Sequence, residues 1–253
     1  MKKIISLVLC LAMLMLLCAC SGGNSLTTIQ KKGTMTVATS PDFPPFESLE
    51  GGKIVGIEVD IMDLIAEKLG VKVNFVQMDF DSVLPGVQAG KFDVGMSGIT
   101  VTEDRQKNAD FTAPYFMASQ AIVVLTDSPI TCKADLEGKK ISVQTGTTAE
   151  EYCMANGYEV LAYQANNDAS SALTTGKVDA WVVDNEVAVA LVAELGGQAK
   201  VLDEAMTQEP YAFAFAKGSD TLVEAFNSAL SELIADGSVE AIFENYGVPY
   251  VGP

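Results

Sequence analysis

From residue 34 onward, apolar positions recur with a period of two and then of 3.6 residues, which predicts strands and helices in turn. In the first cycle we expect strands at 34–39, 71–76 and 92–96, with helices at 58–69 and 83–89. Strands that alternate with helices at this spacing indicate parallel β-α-β units.

A second cycle of the same kind follows. It predicts strands at 140–143, 158–162, 178–183 and 211–216, and helices at 148–155, 168–175, 185–195, 221–235 and 238–246. The segments Ala89-Gly-Lys-Phe-Asp-Val94 and Thr175-Gly-Lys-Val-Asp-Ala180 each end a helix with glycine and begin a strand. A common helix-to-strand turn used twice would give the same match. Together with the matching order of elements, it favours two α/β lobes of similar build.

The N-terminus has the pattern of a targeting segment. Lys2 and Lys3 precede an apolar run at 4–17, which is too short to span a bilayer as a helix. The run ends in Leu17-Cys-Ala-Cys20, which resembles the lipobox of bacterial lipoproteins. That resemblance implies a signal peptide at 1–19, a lipid on Cys20 and a tether at 20–28. The protein is then expected at the outer face of the cell membrane, held by its lipid alone. An ordinary secretory signal is the alternative.

Charge and composition exclude several classes of partner and site. Of the 16 Lys and Arg residues, 14 remain after removal of Lys2 and Lys3, against 33 acidic residues, a formal charge of −19. Nucleic acid and anionic lipid would repel such a chain. The chain has no histidine, which removes the usual catalytic triads and most zinc sites. We expect a monomer without metal or cofactor. Spacing alone leaves open whether Cys132 and Cys153 form a disulfide.

Arg105 is the only arginine of the chain. A guanidinium can bind a carboxylate through two parallel hydrogen bonds, which lysine cannot do. Arg105 closes the segment Ser97-Gly-Ile-Thr-Val-Thr-Glu-Asp-Arg105, which follows a predicted strand. Exposed amides around Gly98, the Thr100 hydroxyl and Arg105 could together bind a carboxylate. Alternatively, Arg105 pairs with its neighbour Glu103 or Asp104.

Three other strand ends carry candidate residues, because ligands of such sheets lie beyond the carboxyl ends of the strands. In Ser40-Pro-Asp-Phe-Pro-Pro-Phe-Glu47 the prolines are expected to exclude both helix and strand pairing, with Phe43 facing the cleft and Phe46 in the core. At 144–151, Thr148 and Glu151 fit a capping box, and the free amides of that helix start also attract anions. Asp184 is either a helix cap or the acceptor of an ammonium group.

The strand ends together offer a site for an anion, a site for a cation and an aromatic surface. A free α-amino acid carries one anion and one cation on the same carbon. The sequence therefore predicts a polar amino acid as the ligand.

Five segments resemble the polar amino acid-binding proteins of ABC importers: 40–47, 55–70, 80–93, 97–105 and 143–148. The similarity extends in order over almost the whole mature chain. It implies an α/β, type II periplasmic-binding-protein fold, in which two lobes are joined by two hinge crossings near Met117–Gln120 and Tyr211–Ala214. Lobe one would comprise 29–118 and 213–253, and lobe two 119–212. The partner implied is an ABC importer permease.

The resemblance also implies ligand-binding roles. The ligand α-carboxylate would be bound by Arg105, Thr100, Gly98 and Thr148, with Thr147 beside it. The α-ammonium would be bound by Asp184 and by Ser97 or Gly98. The ligand side chain would be contacted by Phe43, Phe80, Ser40, Glu47 and Gln144.

Two sets of residues indicate different ligands. Members that bind cationic amino acids often carry aspartate at the position of Ser40, so serine there points to a neutral ligand such as glutamine. Segment 42–47, Phe80-Asp81 and Gln144 instead look like arginine-binding members, and Glu47 could supply the counter-charge. We favour arginine. An enzyme on the same fold, such as a dehydratase, is the alternative of a different class.

Overall fold

A computed structural model describes residues 25–252. The predicted signal peptide and Cys20 lie outside this range. The helices are α1 Leu26–Lys32, α2 Ile57–Leu69, α3 Phe80–Gln88, α4 Glu103–Asn108, α5 Thr148–Ala155, α6 Asn166–Thr174, α7 Asn185–Glu194, α8 Asp220–Ala235 and α9 Ser238–Asn245. The strands are β1 Thr34–Thr39, β2 Asp42–Phe43, β3 Glu47–Glu50, β4 Lys53–Val55, β5 Lys72–Gln77, β6 Val94–Gly95, β7 Ala109–Phe111, β8 Phe116–Ala118, β9 Gln120–Leu125, β10 Lys140–Gln144, β11 Glu159–Tyr163, β12 Ala180–Asp184, β13 Ala199–Val201, β14 Glu209–Tyr211 and β15 Ala214–Ala216.

Two five-stranded sheets form the centres of two lobes. Their strand orders are β5-β1-β6-β15-β7 and β11-β10-β12-β9-β13. In each sheet the first three strands are parallel, as the periodicity predicts. The remaining two strands of each sheet are antiparallel to their neighbours, which the periodicity did not predict. The two-lobed α/β fold is confirmed.

The chain passes between the sheets twice. It leaves the first sheet after β7 and enters the second at β9, and it returns from β13 to β15. On the way, β8 and β14 pair antiparallel as a separate two-stranded ribbon. The single strand predicted at 211–216 is therefore wrong, because the chain splits it between this ribbon and the first sheet.

The two lobes contain the same helix-to-strand connection. The backbone N–H of Thr36 in β1 donates to the Asp93 carboxylate at 2.7 Å, and the N–H of Lys140 in β10 donates to the Asp179 carboxylate at 2.9 Å. Both aspartates belong to the similar segments noted above, just after a glycine with positive φ at 90 or 176. The sequence echo thus corresponds to one helix-to-strand connection built twice.

The proline-rich segment forms a β-hairpin. β2 pairs with β3, with Phe43 opposite Glu47, so the expectation of no strand pairing there is wrong. The pairing is possible because Pro44 and Pro45 lie in the turn and Pro41 precedes β2, where no ladder hydrogen bond is required of them. Phe46 is fully buried, as expected, and packs on Phe116 and Tyr211 with ring centroids 5.5 and 5.2 Å apart. The hairpin is thereby attached to the crossing ribbon.

The structure also describes the end of the predicted tether and the two cysteines. Ser25 caps helix α1, which begins at Leu26, so the last three residues of the predicted tether are helical. Cys132 and Cys153 are both free thiols, and burial raises the pKa of Cys153 to about 12. Within residues 25–252, no helix has the length and apolar character to cross a bilayer.

Candidate functional site

The ends of four strands meet between the lobes. Ser40 follows β1 and Ser97 follows β6 in the first lobe, while Thr147 follows β10 and Asp184 ends β12 in the second. Direct contacts join the two sides, since Gln144 Nε2 lies 3.2 Å from Asp42 Oδ2. The candidate residues from both lobes therefore line one narrow cleft.

The Arg105 guanidinium spans this cleft. Nη1 donates to the carbonyl of Thr100 at 2.9 Å, and Nη2 donates across the cleft to the carbonyl of Gly146 at 3.0 Å. The guanidinium carbon lies 5.7 Å from the centre of the Phe80 ring, which suits a cation–π contact. Among the described residues, no carboxylate lies at ion-pair distance from Arg105. Its neighbour Asp104 instead forms an ion pair with Lys107. The alternative of pairing with an acidic neighbour is therefore wrong.

Arg105 remains available for an anion. Burial lowers its pKa, while nearby Glu151, Glu209 and Asp184 oppose that shift. A guanidinium keeps its charge even in such surroundings. Its present acceptors are neutral carbonyls, so a carboxylate would be a stronger partner than either.

Helix α5 begins one residue earlier than the predicted capping box requires. The Thr147 hydroxyl accepts from the Glu150 N–H at 3.2 Å and donates to the Gln144 carbonyl at 2.7 Å. The cap is therefore Thr147, and the predicted pair of Thr148 with Glu151 is wrong. Thr148 is free of capping, and its hydroxyl donates to the Glu209 carboxylate at 3.0 Å.

Asp184 precedes helix α7 but does not cap it through its side chain. Its carboxylate accepts from Gln120 Nε2, which also donates to the Thr148 hydroxyl at 3.2 Å. Burial, followed by the charge of Glu209, raises the pKa of Asp184 well above its usual range. Because burial disfavours the charged form of this carboxyl group, a cation bound beside it would stabilise that form. Of the two possibilities for Asp184, the structure excludes the side-chain cap.

Glu209 and Gln120 were not among the predicted site residues. They are 3% and 1% exposed, and they lie at the two crossings, Glu209 in β14 and Gln120 at the start of β9. Neither residue follows the carboxyl end of a predicted strand, where ligands of such sheets are expected. A carboxylate next to a strand of apolar residues was the one signal for Glu209.

In the first lobe the predicted polar groups are bound to one another. Ser97 Oγ donates to Glu47 Oε1 at 2.6 Å and accepts from the Ser40 N–H at 3.1 Å. The Gly98 N–H donates to Glu58 Oε2 at 2.9 Å, so the expectation of an exposed amide there is wrong. Gly98 has φ +53, and a Cβ would lie 2.5 Å from Phe43 Cε1. The Phe43 ring therefore packs directly on this backbone.

Glu47 lies behind Ser97, fully buried. Burial and the adjacent Glu58 raise the pKa of Glu47 well above its usual range, and burial also raises that of Glu58. Glu58 accepts from the hydroxyl of Tyr115 as well as from Gly98. Glu47 is thus part of a buried carboxyl pair, and it lines none of the cavities of the cleft.

Three cavities are lined by residues of the cleft. One, of about 520 Å³, is lined by Ser40, Pro41, Asp42, Gln77, Met78, Asp79, Ser82, Gln164 and Ala165. The other two are small and lie beside Arg105 and Asp184. One, of about 130 Å³, lies beside Arg105 and is lined by Phe80, Asp81, Val83, Leu84, Pro85, Ile99, Arg105 and Gly146. The other, of about 10 Å³, is lined by Phe43, Gln120, Gln144, Thr147, Ala149, Asn166, Val182, Val183 and Asp184. Pockets for small molecules usually measure roughly 300–1,000 Å³. The lobes are therefore in close contact around Arg105 and Asp184 in this conformation.

Known proteins resemble the chain over nearly its whole length. The family described as bacterial extracellular solute-binding proteins, family 3, matches residues 35–249. The arginine-binding extracellular protein of Bacillus subtilis is 32% identical, with 96% of each chain covered. A probable histidine-binding protein of Campylobacter jejuni is also 32% identical, with 84% of each covered. The structure of an ancestral arginine-binding protein bound to glutamine is 43% identical, with a TM-score of 0.81, 85% of this chain and 97% of that chain covered.

These matches agree with the order of motifs, the paired sheets and the polar cleft. They confirm the resemblance inferred from the motifs, and a family of solute-binding proteins supports a binding protein rather than an enzyme. The chain belongs to the bacterial extracellular solute-binding proteins of family 3.

Proposed function

We propose that the protein is the extracytoplasmic amino-acid-binding component of an ABC importer, and that its ligand is L-arginine. One observation carries the amino-acid assignment. Arg105 from the first lobe and Asp184 from the second face one cleft, and neither has an oppositely charged partner among residues 25–252. This pair is complementary to the carboxylate and the ammonium of a free amino acid.

Each side chain then has a distinct role. Arg105, with Thr100 and Thr148, binds the α-carboxylate, and Asp184 binds the α-ammonium with help from Ser97. Gly98 contributes through its shape, because its N–H is already bound to Glu58. The ligand side chain extends between the aromatic rings of Phe43 and Phe80, toward Ser40 and Gln144.

Binding is coupled to closure of the lobes. The cavities beside Arg105 and Asp184 are too small to admit an amino acid, so the lobes separate about the β8–β14 ribbon for entry. Contacts such as that of Arg105 with the Gly146 carbonyl exist only when they close. A ligand that binds groups of both lobes stabilises the closed form. A permease would distinguish this form from the open one.

Arginine is favoured over a neutral ligand by an aromatic surface and by the relatives. Aromatic faces such as those of Phe43 and Phe80 suit a planar guanidinium through stacking. A relative with 96% coverage is named for arginine. Glutamine is the second candidate, because Ser40 is neutral and the ancestral arginine-binding protein was solved with glutamine.

We further propose that a lipid on Cys20 anchors the protein, as a monomer, to the outer face of the cell membrane. The basis is the lipobox-like sequence at 17–20. Replacing Cys20 by serine should abolish the incorporation of a labelled fatty acid into the protein. Equal labelling of the variant and the wild type would contradict the anchor.

A thermal-shift panel of the twenty amino acids tests the ligand. The protein is first unfolded and refolded to remove any bound amino acid. A ligand at a thousand times its dissociation constant should add about 4 kcal/mol to the free energy of unfolding and raise Tm by several degrees. We expect arginine to give the largest shift. A larger shift with glutamine would replace the ligand but keep the site, and no shift with any amino acid would refute the function.

A further inference from the structure

Asp42 joins the two lobes through its carboxylate. Oδ1 accepts from the Ser40 hydroxyl at 3.0 Å. Oδ2 accepts from two groups of the second lobe, the Asn166 N–H at 2.7 Å and Gln144 Nε2 at 3.2 Å. Asn166 is the first residue of helix α6, where free N–H groups and the helix dipole attract a negative charge.

All of these donors are neutral. Within the described part of the chain, no lysine or arginine lies at ion-pair distance from Asp42. Burial raises the pKa of Asp42, although its hydrogen bonds act in the opposite direction. A desolvated carboxylate held only by neutral donors would be stabilised strongly by a cation.

Asp42 lies beside two cavities of the cleft, because it lines the one of about 520 Å³ and its partners Gln144 and Asn166 line the small one at Asp184. Phe43, Gln144 and Asn166 line the same small cavity as Asp184. An amino acid whose ammonium binds Asp184 would direct its side chain along the Phe43 ring toward Gln144. Asp42 is the neighbour of Phe43 in the chain and the hydrogen-bond partner of Gln144.

The contact with Gln144 can be exchanged for a ligand group. Gln144 Nε2 also donates to the carbonyl of Gln164 at 3.0 Å, and its oxygen accepts from Asn166 at 3.1 Å. Loss of the contact with Asp42 would therefore leave no buried amide unpaired. Glu47 offers no comparable site, because it is enclosed behind Ser97.

We propose that Asp42 selects a cationic ligand side chain, by accepting the terminal guanidinium of arginine in place of the Gln144 amide. This inference rests on the proposed function and names a specificity residue for its ligand. It assigns Asp42 a contact with the ligand, which goes beyond its role in joining the lobes.

Calorimetry with arginine and citrulline separates these roles, because citrulline has nearly the same shape but an uncharged end group. We expect the wild-type protein to bind arginine about 30-fold or more tightly than citrulline. Asp42→Asn should reduce that ratio to about threefold or less, mainly by weakening arginine binding. Asp42→Glu keeps the charge and should retain a clear preference for arginine. If Asp42→Asn does not refold, Asp42→Ser provides the same comparison.

Glu50→Gln is the matched control. Glu50 lies in β3 of the same hairpin as Asp42, but it is exposed and its carboxylate accepts from the Ser48 hydroxyl at 3.3 Å. This variant should leave the ratio of the two affinities as in the wild type. Equal weakening of arginine and citrulline by Asp42→Asn would show a purely interlobe contact and overturn the proposal, as would no change. If the wild-type protein does not bind arginine, the proposed ligand fails first and the inference fails with it.

Discussion

Replacing Arg105 by alanine removes the only guanidinium of the chain from the cleft. The side chain now donates to the Thr100 carbonyl at 2.9 Å and to the Gly146 carbonyl, in the opposite lobe, at 3.0 Å. In the variant, the carboxylate of a bound amino acid would be buried without its charged partner. Closure would also lose one contact between the lobes.

The expected cost follows from these two losses. Removing one partner of a buried charged pair costs about 3–5 kcal/mol, which corresponds to a roughly 100-fold to several thousand-fold loss of affinity. Arg105→Lys keeps the charge but not the planar fork that reaches both carbonyls. We expect this variant to bind about tenfold more weakly than the wild type, since one charge-assisted hydrogen bond contributes about 1.5 kcal/mol or more.

Calorimetric titration of the refolded protein with arginine measures these effects. Lys107→Ala is the control, because Lys107 is on the same helix, α4, and forms only an exposed pair with Asp104. Exposed pairs contribute about 0–1 kcal/mol, so its affinity should stay within a few-fold of the wild type. A loss below about threefold in Arg105→Ala would refute the role of this residue in binding.

Two further predictions concern stability. Gly98→Ala should lower the free energy of unfolding by about 2 kcal/mol or more, because φ is +53 and the new Cβ meets the Phe43 ring at 2.5 Å. Gly138→Ala, with φ +71 and open space around it, should lose only about 1 kcal/mol in urea unfolding, and equal losses would exclude the ring contact. The pKa of Glu47 is raised in the folded state, so its protonated form contributes stability that is present below the ordinary pKa of 4.5 and is lost as pH rises. Glu47→Gln retains a hydrogen-bond donor toward Glu58, and its stability should therefore fall less between pH 5 and 8. Parallel pH curves for variant and wild type would contradict a protonated pair.

Periodicity predicted the long elements well and the short ones poorly. Strand β1 and helix α5 have the predicted ends, because each carries a sustained apolar pattern bounded by polar residues or glycine. Of the missed strands, β2, β8 and β14 have only two or three residues, too few to show a period. The six-residue β9 was also missed, because Ala121–Leu125 is a continuous apolar run without alternation. The pairing of β8 with β14 depends on a distant partner, as where Tyr211 lies opposite Phe116. Local sequence carries no record of such a partner.

The candidate site divides in the same way. Arg105 was predicted because it is the only arginine and closes the segment after a predicted strand, and Asp184 because it directly follows one. The cap of α5 could not be predicted, because Thr147 with Glu150 and Thr148 with Glu151 fit the same motif. The choice between them depends on Glu209, whose carboxylate accepts from the Thr148 hydroxyl. Glu209 is more than sixty residues away, in a strand that the sequence did not reveal.

The crossings contribute to the site as well as to the hinge. Gln120 follows one crossing and donates to Asp184, and Glu209 lies on the other and accepts from Thr148. Gln120 also donates to Thr148, so one hydrogen-bonded cluster connects both crossings to the proposed ammonium site. A cation bound at Asp184 would neutralise part of the buried negative charge of this cluster. Because the cluster joins both hinge segments to the second lobe, the same electrostatic gain that binds the ligand would also stabilise the closed arrangement of the lobes.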